Sequence, residues 1–317
     1  MNTLIDIPPE WDAPGDEDIL EPDTVQLVKF LGDNLFDEYE PEQVLPFRTR
    51  LLSWLNNLTD EQEQKMLFSL LPELFFVGRK EFESLYRSLY HGPVFRWMID
   101  TMGYCVFQDN LTDLVHEKVN SAWICPITDS LRINAFMKVT NLSCLDMRPD
   151  WRSMEKFADV EKISNYTLEN DIEHLILLED FVGSGTQVES AIRFAARALP
   201  NIKILVAPLI VCPNGDRVLS EMMANFDNVC YRPVLVLPES SMQDYKAYRG
   251  GKGTDLDRFI VSLNKFLGFN QAKSAFGYKQ TGAKIVLYSN CPNNTLPIYH
   301  KNTENWKALF ARVERQL

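Results

Sequence analysis

The sequence predicts an α/β fold built on a parallel sheet, entered through an all-α N-terminal region. Three observations carry that prediction. Apolar runs of strand length recur at Ala122–Ile127, Leu175–Leu178, Lys203–Val211 and Asn228–Leu237, with too little alternation for strands exposed on one face. Stretches of helical period separate them, which implies right-handed crossovers between parallel neighbours. From Asp23 to Tyr104, by contrast, the apolar spacing is helical throughout.

In chain order, residues 1–22 read as an acidic, irregular tail, residues 23–104 as a helical accessory region and residues 105–317 as the α/β domain. Asp23 is placed to cap a first helix carrying Val25, Val28, Leu31 and Leu35. Pro41 suits the first turn of a second helix through Val44, Phe47, Leu51 and Leu55. Thr59-Asp60-Glu61-Gln62 has the pattern of a capping box opening a third. A fourth spans about Lys80–Tyr90 and stops at Gly92-Pro93, and a fifth runs from Pro93 to Tyr104. Within the α/β domain, a helix over Leu111–Val119 leads to the strand Ala122–Ile127. The turn Thr128-Asp129-Ser130 then leads to a helix over Leu131–Val139. A polar connection follows over residues 145–170, with a helical piece at Met154–Ile163. Pro213 opens a helix reaching about Asn225, Leu256–Leu267 forms another, and Ala283–Tyr288 is a late strand. The loop Pro238–Gly253 holds Tyr245, Tyr248, Arg249 and the run Gly250-Gly251-Lys252-Gly253. It reads either as a mobile anion-binding lid or as a flexible connection.

The chemistry concentrates in Asp171–Pro200. Leu175–Leu178 reads as a strand buried on both faces, with Glu179 and Asp180 where it would emerge from the core. The small-residue turn Gly183-Ser184-Gly185-Thr186 follows. A helix then runs to Leu199 with Val188, Ile192, Ala195 and Ala196 on one face. Backbone N–H groups in such a turn can converge on a phosphate, favoured by the helix dipole. The carboxylates can accept hydrogen bonds from sugar hydroxyls, so the geometry suits a sugar phosphate held at both ends. The blander reading is a solvated strand end with Ser184 or Thr186 capping the helix. No Gly-x-Gly-x-x-Gly follows a predicted strand and no Gly-Lys-Ser/Thr occurs, which argues against dinucleotide and P-loop sites.

Composition narrows the classes further. A chain of 317 residues with 45% hydrophobic and 24% charged residues has the make-up of a soluble globular protein, long enough for two domains. The net charge of −12 comes from the N-terminus, where residues 1–45 hold thirteen acids and only Lys29 as a base. The two signs balance in the rest. A neutral body without basic clusters disfavours direct nucleic-acid binding. The acidic block is either a solvating tail or a surface for a basic partner. Six scattered cysteines without a Cys-x-x-Cys pair, no export signal at the N-terminus and no membrane-length apolar run point to a cytoplasmic protein with reduced thiols and no membrane segment. The four histidines have no metal-ligand spacing, and no protein metal site is expected.

The central run, LILL-ED-FVGSGTQ, resembles the signature of the type I phosphoribosyltransferases. The resemblance implies a parallel-sheet type I phosphoribosyltransferase-like core. Glu179 and Asp180 would bind the ribose hydroxyls of phosphoribosyl pyrophosphate (PRPP), and Gly183, Ser184, Gly185, Thr186 and Gln187 would cradle its 5′-phosphate. Phe181, Gly183 and Gln187 depart from the family's usual residues. One crossover earlier, where the family places its pyrophosphate loop, stand Thr128, Asp129, Ser130 and Arg132; a helix capped by Asp129 or Ser130 is the other reading. The catalytic set implied is Glu179, Asp180, Asp129 and Arg132. Mg²⁺ would arrive held mainly by the substrate. Near the C-terminus, CPNNTLPIY followed by WKALFAR resembles the phosphoribosyltransferase-like proteins of bacterial conflict (antiphage) operons, some of them retron-associated. That resemblance covers about Leu111–Leu317 and implies a defence role with a protein partner from the same operon. The activity implied is glycosyl transfer from PRPP, with a sugar phosphate or nucleotide as ligand. The alternative is a non-catalytic nucleotide-sensing or partner-binding adaptor that keeps only the fold.

Overall fold

The long apolar runs do fold as parallel strands. The computed structural model describes Trp11, Leu20, Glu21, residues 23–42 and residues 45–313, so most of the acidic tail lies outside the described residues. Among the described residues the strands are, in chain order, β1 (Phe75–Val77), β2 (Trp123–Pro126), β3 (His174–Val182), β4 (Lys203–Val211), β5 (Val229–Tyr231), β6 (Leu235–Val236) and β7 (Ile285–Leu287). The chain divides into two compact units, one of residues 80–239 and the other of residues up to 79 together with those from 240 onward. This division does not follow the boundary expected at residue 104. The helices beyond residue 80 belong with the sheet, and the last third of the chain belongs with the first helices.

In the unit of residues 80–239 the strands lie in the order β2-β3-β4-β5, with β6 also on β4, and every pairing is parallel. Trp123, Leu175 and Ile204 stand in register across three strands, and because side chains alternate they share one face. The crossover helices cover that face, where Trp151, Val188, Ile192, Ala195 and Leu219 join Trp123, Leu175 and Ile204 in one buried cluster. The N-terminal part of the unit also reaches the sheet. The turn Tyr90–Val94 touches β4, and the Trp97 ring lies edge-on to His174 at 5.5 Å. Strand order follows chain order with no reversal, so there is no switch-point crevice among these strands. A ligand site in this sheet must rest on the strand ends and the turns that leave them.

Three local expectations are corrected here. Gly92-Pro93 does not stop a helix: a π-type turn, Tyr90–Val94, carries the chain from Arg79–Leu89 into Phe95–Met102. The wider turn accommodates a proline that has no N–H to donate. The connection over residues 145–170 holds two helices, Trp151–Phe157 and Val160–Glu169, started by Asp150 and Asp159, whose carboxylates accept from Ser153 N and Glu161 N. The single strand expected over Asn228–Leu237 is broken at Pro233 into β5 and β6. Arg232 N and Val234 N keep the segment on β4 by donating to the carbonyls of Val206 and Pro208, both at 3.0 Å.

In the other unit, helices Thr24–Asn34, Phe47–Leu55 and Glu61–Phe68 precede β1, which pairs in parallel with β7. Asp60, not Thr59, caps the third helix by accepting from Glu63 N at 2.9 Å. Asp23 makes no side-chain cap. Pro41 lies in the short 3₁₀ turn Glu40–Glu42, so the second helix begins only at Phe47. The C-terminal segment is buried among these helices. Trp54 and Trp306 both donate to the Ile298 carbonyl, at 2.8 and 3.0 Å, and the Tyr299 hydroxyl donates to Leu70 O at 3.1 Å. Arg50, fully enclosed, donates to Phe36 O at 2.7 Å and Leu309 O at 2.9 Å beneath the Phe310 ring. Ring and carbonyls together replace the water its charge gives up. No described helix is long and apolar enough to cross a membrane.

Candidate functional site

β3 does not end where its apolar run ends. Its ladder with β4 continues past Leu178 to Val182, with Glu179 opposite Pro208 and Val182 opposite Val211. β2 stops at Pro126, opposite Leu178, so one edge of β3 is left without a strand at the carboxylates. The chain beyond β2 fills that edge. Ile127 N still donates to Leu178 O at 2.8 Å, and Thr128 N, next in line, donates to the side chain of Glu179 at 2.8 Å.

The acidic pair is therefore inside the protein, not on an open rim as expected. Glu179 and Asp180 are 3% and 7% exposed. The Thr128 hydroxyl donates to Glu179 Oε1 at 2.6 Å. The Ser130 hydroxyl lies between the carboxylates, 3.0 Å from Glu179 Oε1 and 2.9 Å from Asp180 Oδ1, and 2.7 Å from the Thr128 hydroxyl. Phe181 N donates to Asp180 Oδ1 at 2.8 Å. Burial pushes the Glu179 carboxyl up, the neighbouring Asp180 charge adds to it, and the Thr128 and Ser130 bonds only partly offset the rise. Asp180 is raised as well, again mainly by burial, with the positive charge of Arg132 pulling the other way.

The turn after β3 has the opposite character. The helix Thr186–Ala198 starts at Gly185, which stands at φ +79° where a Cβ would be strained, and no side chain caps it. Neither Ser184 nor Thr186 is the cap that the blander reading called for; their hydroxyls lie 3.2 Å apart. Val188 N and Glu189 N donate to Gly185 O. The N–H groups of Ser184, Gly185, Thr186 and Gln187 donate to no other backbone carbonyl or side chain of the described residues. Four N–H groups without a partner among the described residues thus stand at the positive end of a thirteen-residue helix, the chemistry that favours an anion. Ser184 is buried at the base of the turn, while Thr186 and Gln187 are exposed.

The structure thus brings the Thr128–Ser130 turn to the acidic pair. Ser130 and Asp129 do not cap the next helix, which begins at Ile133 with Arg132 at its N-cap position and no side-chain cap. Asp129 and Arg132 are exposed at the surface of this turn. Gly215 is a residue that sequence reasoning missed. It lies in the first turn of the helix Pro213–Met223, and a Cβ there would sit 2.5 Å from the Gly183 carbonyl. The signal was present as a glycine in a helix that otherwise disfavours one, which usually marks a close approach. Among the described residues, no group of three His, Cys, Asp or Glu side chains is placed to hold a metal.

A parallel sheet with a paired acid motif near one strand end, followed by a small-residue turn into a helix, defines a phosphoribosyltransferase-like α/β protein. The chain belongs to the PRTase-CE family, whose model matches residues 51–312. That span extends the likeness to the helices from Leu51 onward, well beyond the C-terminal two-thirds that the motifs alone delimit. Neither a curated protein nor a solved structure matches the chain.

Proposed function

We propose that the end of β3 and the Ser184–Gln187 turn bind a sugar phosphate, PRPP or a nucleotide 5′-phosphate, and that the Thr128–Ser130 turn holds the ribose position until the ligand arrives. The observation that carries this reading is the set of four consecutive N–H groups at Ser184–Gln187 without a partner among the described residues. The carboxylate network supports it. Two hydroxyls from neighbouring residues donate to Glu179 and Asp180, the chemistry that two ribose hydroxyls would offer. Exchange of one hydroxyl pair for the other keeps the buried acids bonded throughout, so ligand entry need not strand a charge.

In the transferase form of this reading, an acceptor nucleophile bonds to C1 of PRPP as the C1–O bond to pyrophosphate breaks, and pyrophosphate leaves with the electron pair. Charge develops at C1, so the protein acts by positioning and electrostatics. Ser184–Gln187 would fix the 5′-phosphate, Glu179 and Asp180 the ribose, and Arg132 and Asp129 would border the leaving group. Mg²⁺, when bound, would screen the pyrophosphate charge from oxygen ligands that belong mostly to the substrate. A second reading is favoured by the burial of the acids: a module that binds a nucleotide without turnover, or an adaptor that keeps only the fold. We also hold, as part of the proposal, that the chain serves antiphage defence with a protein partner from its own operon.

The test is a thermal shift with PRPP and Mg²⁺, in which saturating ligand stabilises the fold by mass action. Asp180→Asn should diminish the shift by weakening an acceptor for a sugar hydroxyl. Pyrophosphate release with candidate acceptors then separates transferase from sensor. An absent shift with PRPP and with nucleotide 5′-phosphates alike would leave the adaptor reading.

A further inference from the structure

A second concave site lies in the unit that holds the C-terminal third. A cavity of about 440 Å³ is lined by Tyr245, Tyr248, Arg249, Gly251, Gly253 and Arg258. Its size falls in the range of small-ligand pockets. Tyr245 and Tyr248 are half-buried, their rings 6.5 Å apart and 25° from parallel, and both lie against the buried Phe276 at 5.3 and 5.8 Å. That packing fixes the rings, while their hydroxyls make no hydrogen bond to a described residue.

The Gly-rich run is built to this shape and is not slack. Gly251 stands at φ +75°, where a side chain would be strained. A Cβ on Gly253 would lie 2.9 Å from Tyr248 Cα and 3.0 Å from its ring, so only glycine lets the chain return across that tyrosine. Arg258 closes the end of the loop, donating to Gly253 O at 2.9 Å and pairing with Asp255. Arg249, exposed at the cavity, has no ion pair or hydrogen bond among the described residues. The lining carries two guanidinium groups and no carboxylate.

We propose that this cavity binds a nucleoside monophosphate, with the base against the tyrosines and the phosphate on Arg249. Aromatic faces stack on any base, and a guanidinium fork matches phosphate oxygens. A bare anion would leave the fixed tyrosines without a role. A nucleic-acid strand needs a basic track, which a chain of net charge −12 with a single free arginine here does not supply. This site shares no residue with the Ser184–Gln187 turn and does not depend on the reading given to it.

Calorimetric titration of the full chain with AMP, adenosine, inorganic phosphate and a short oligo(dA) decides the matter. The expected result is an AMP-binding component that Arg249→Gln and Tyr248→Leu each weaken about tenfold or more and that Asp180→Asn leaves in place. Adenosine and phosphate should each bind at least about tenfold more weakly than AMP. Arg249 is exposed, so Arg249→Gln keeps the fold and serves as the decisive variant even if Tyr248→Leu does not. The proposal is overturned if no AMP heat appears, if Arg249→Gln changes nothing, or if oligo(dA) binds more tightly than AMP. It is equally overturned if Asp180→Asn alone abolishes AMP binding, which would assign the nucleotide to the β3 site instead.

Discussion

Thr128 and Glu179, 51 positions apart, are joined twice: the threonine hydroxyl donates to one carboxylate oxygen at 2.6 Å and its N–H to the other at 2.8 Å. The segment after β2 is thereby locked to a side chain of β3 where backbone pairing has ended. Thr128→Val removes one donor from a buried carboxylate while nearly preserving volume. It should destabilise the protein by about 1–3 kcal/mol in chemical unfolding. If the hydroxyl holds the ribose position, the variant should also show a larger PRPP-induced rise in Tm than the wild type. An unchanged or smaller rise would mean that Thr128 does not compete with the ligand.

The acidic pair gives the protein a pH signature. Burial, helped by the Asp180 charge, raises Glu179 from 4.5 to about 8. Below pH 4.5 the folded and unfolded chains both carry this proton, and the group's contribution to stability is fully present. As pH rises toward 8 the unfolded chain releases the proton freely while the folded chain resists, and the contribution is lost. Tm should therefore fall between pH 5 and 8 more steeply in the wild type than in Glu179→Gln. The difference between the two profiles also removes the opposite influence of buried His300, whose pKa is lowered to about 4. Parallel profiles would show that Glu179 is ionised in the folded protein across this range.

Gly215 lies close against the Gly183–Gln187 turn. Gly215→Ala places a methyl 2.5 Å from the Gly183 carbonyl, so either the helix Pro213–Met223 or the turn must move. A loss of about 1–3 kcal/mol is expected, together with weaker binding of PRPP. Gly103→Ala is the control for lost stability alone. Gly103 stands at φ +66°, a left-handed conformation that Gly215 does not share, and has open space around it, so that variant should lose stability without losing ligand affinity. Equal effects on affinity in the two variants would show that the contact at Gly183 does not shape the site.

Local pattern made the sheet legible. Unbroken apolar runs marked β4 along its length and the first half of β3, and the change of period at Thr186 marked the helix that follows, which the structure ends at Ala198. The Gly183–Gln187 turn was legible for the same reason, since its residue types and its place before a helix are both local. The state of Glu179 and Asp180 was not, because the strand's end is set by its pairing with β4 as far as Val211, a relation between distant segments. The grouping of the last third of the chain with the first helices was hidden in the same way. It rests on bonds such as Trp54 to Ile298 and Tyr39 to Ala311, 244 and 272 positions apart. Pro41 and Gly92-Pro93 misled because proline restricts the backbone without saying whether a helix starts, stops or widens there.

The most direct test of the central claim is amide hydrogen exchange at Ser184, Gly185, Thr186 and Gln187, with and without PRPP and Mg²⁺. These four N–H groups bond to no described residue and should exchange fast in the free protein. On ligand addition all four should become protected, while exposed amides elsewhere in the chain stay as they were. Unaltered exchange at these positions under saturating PRPP and under saturating nucleotide 5′-phosphate would contradict a phosphate site at this turn.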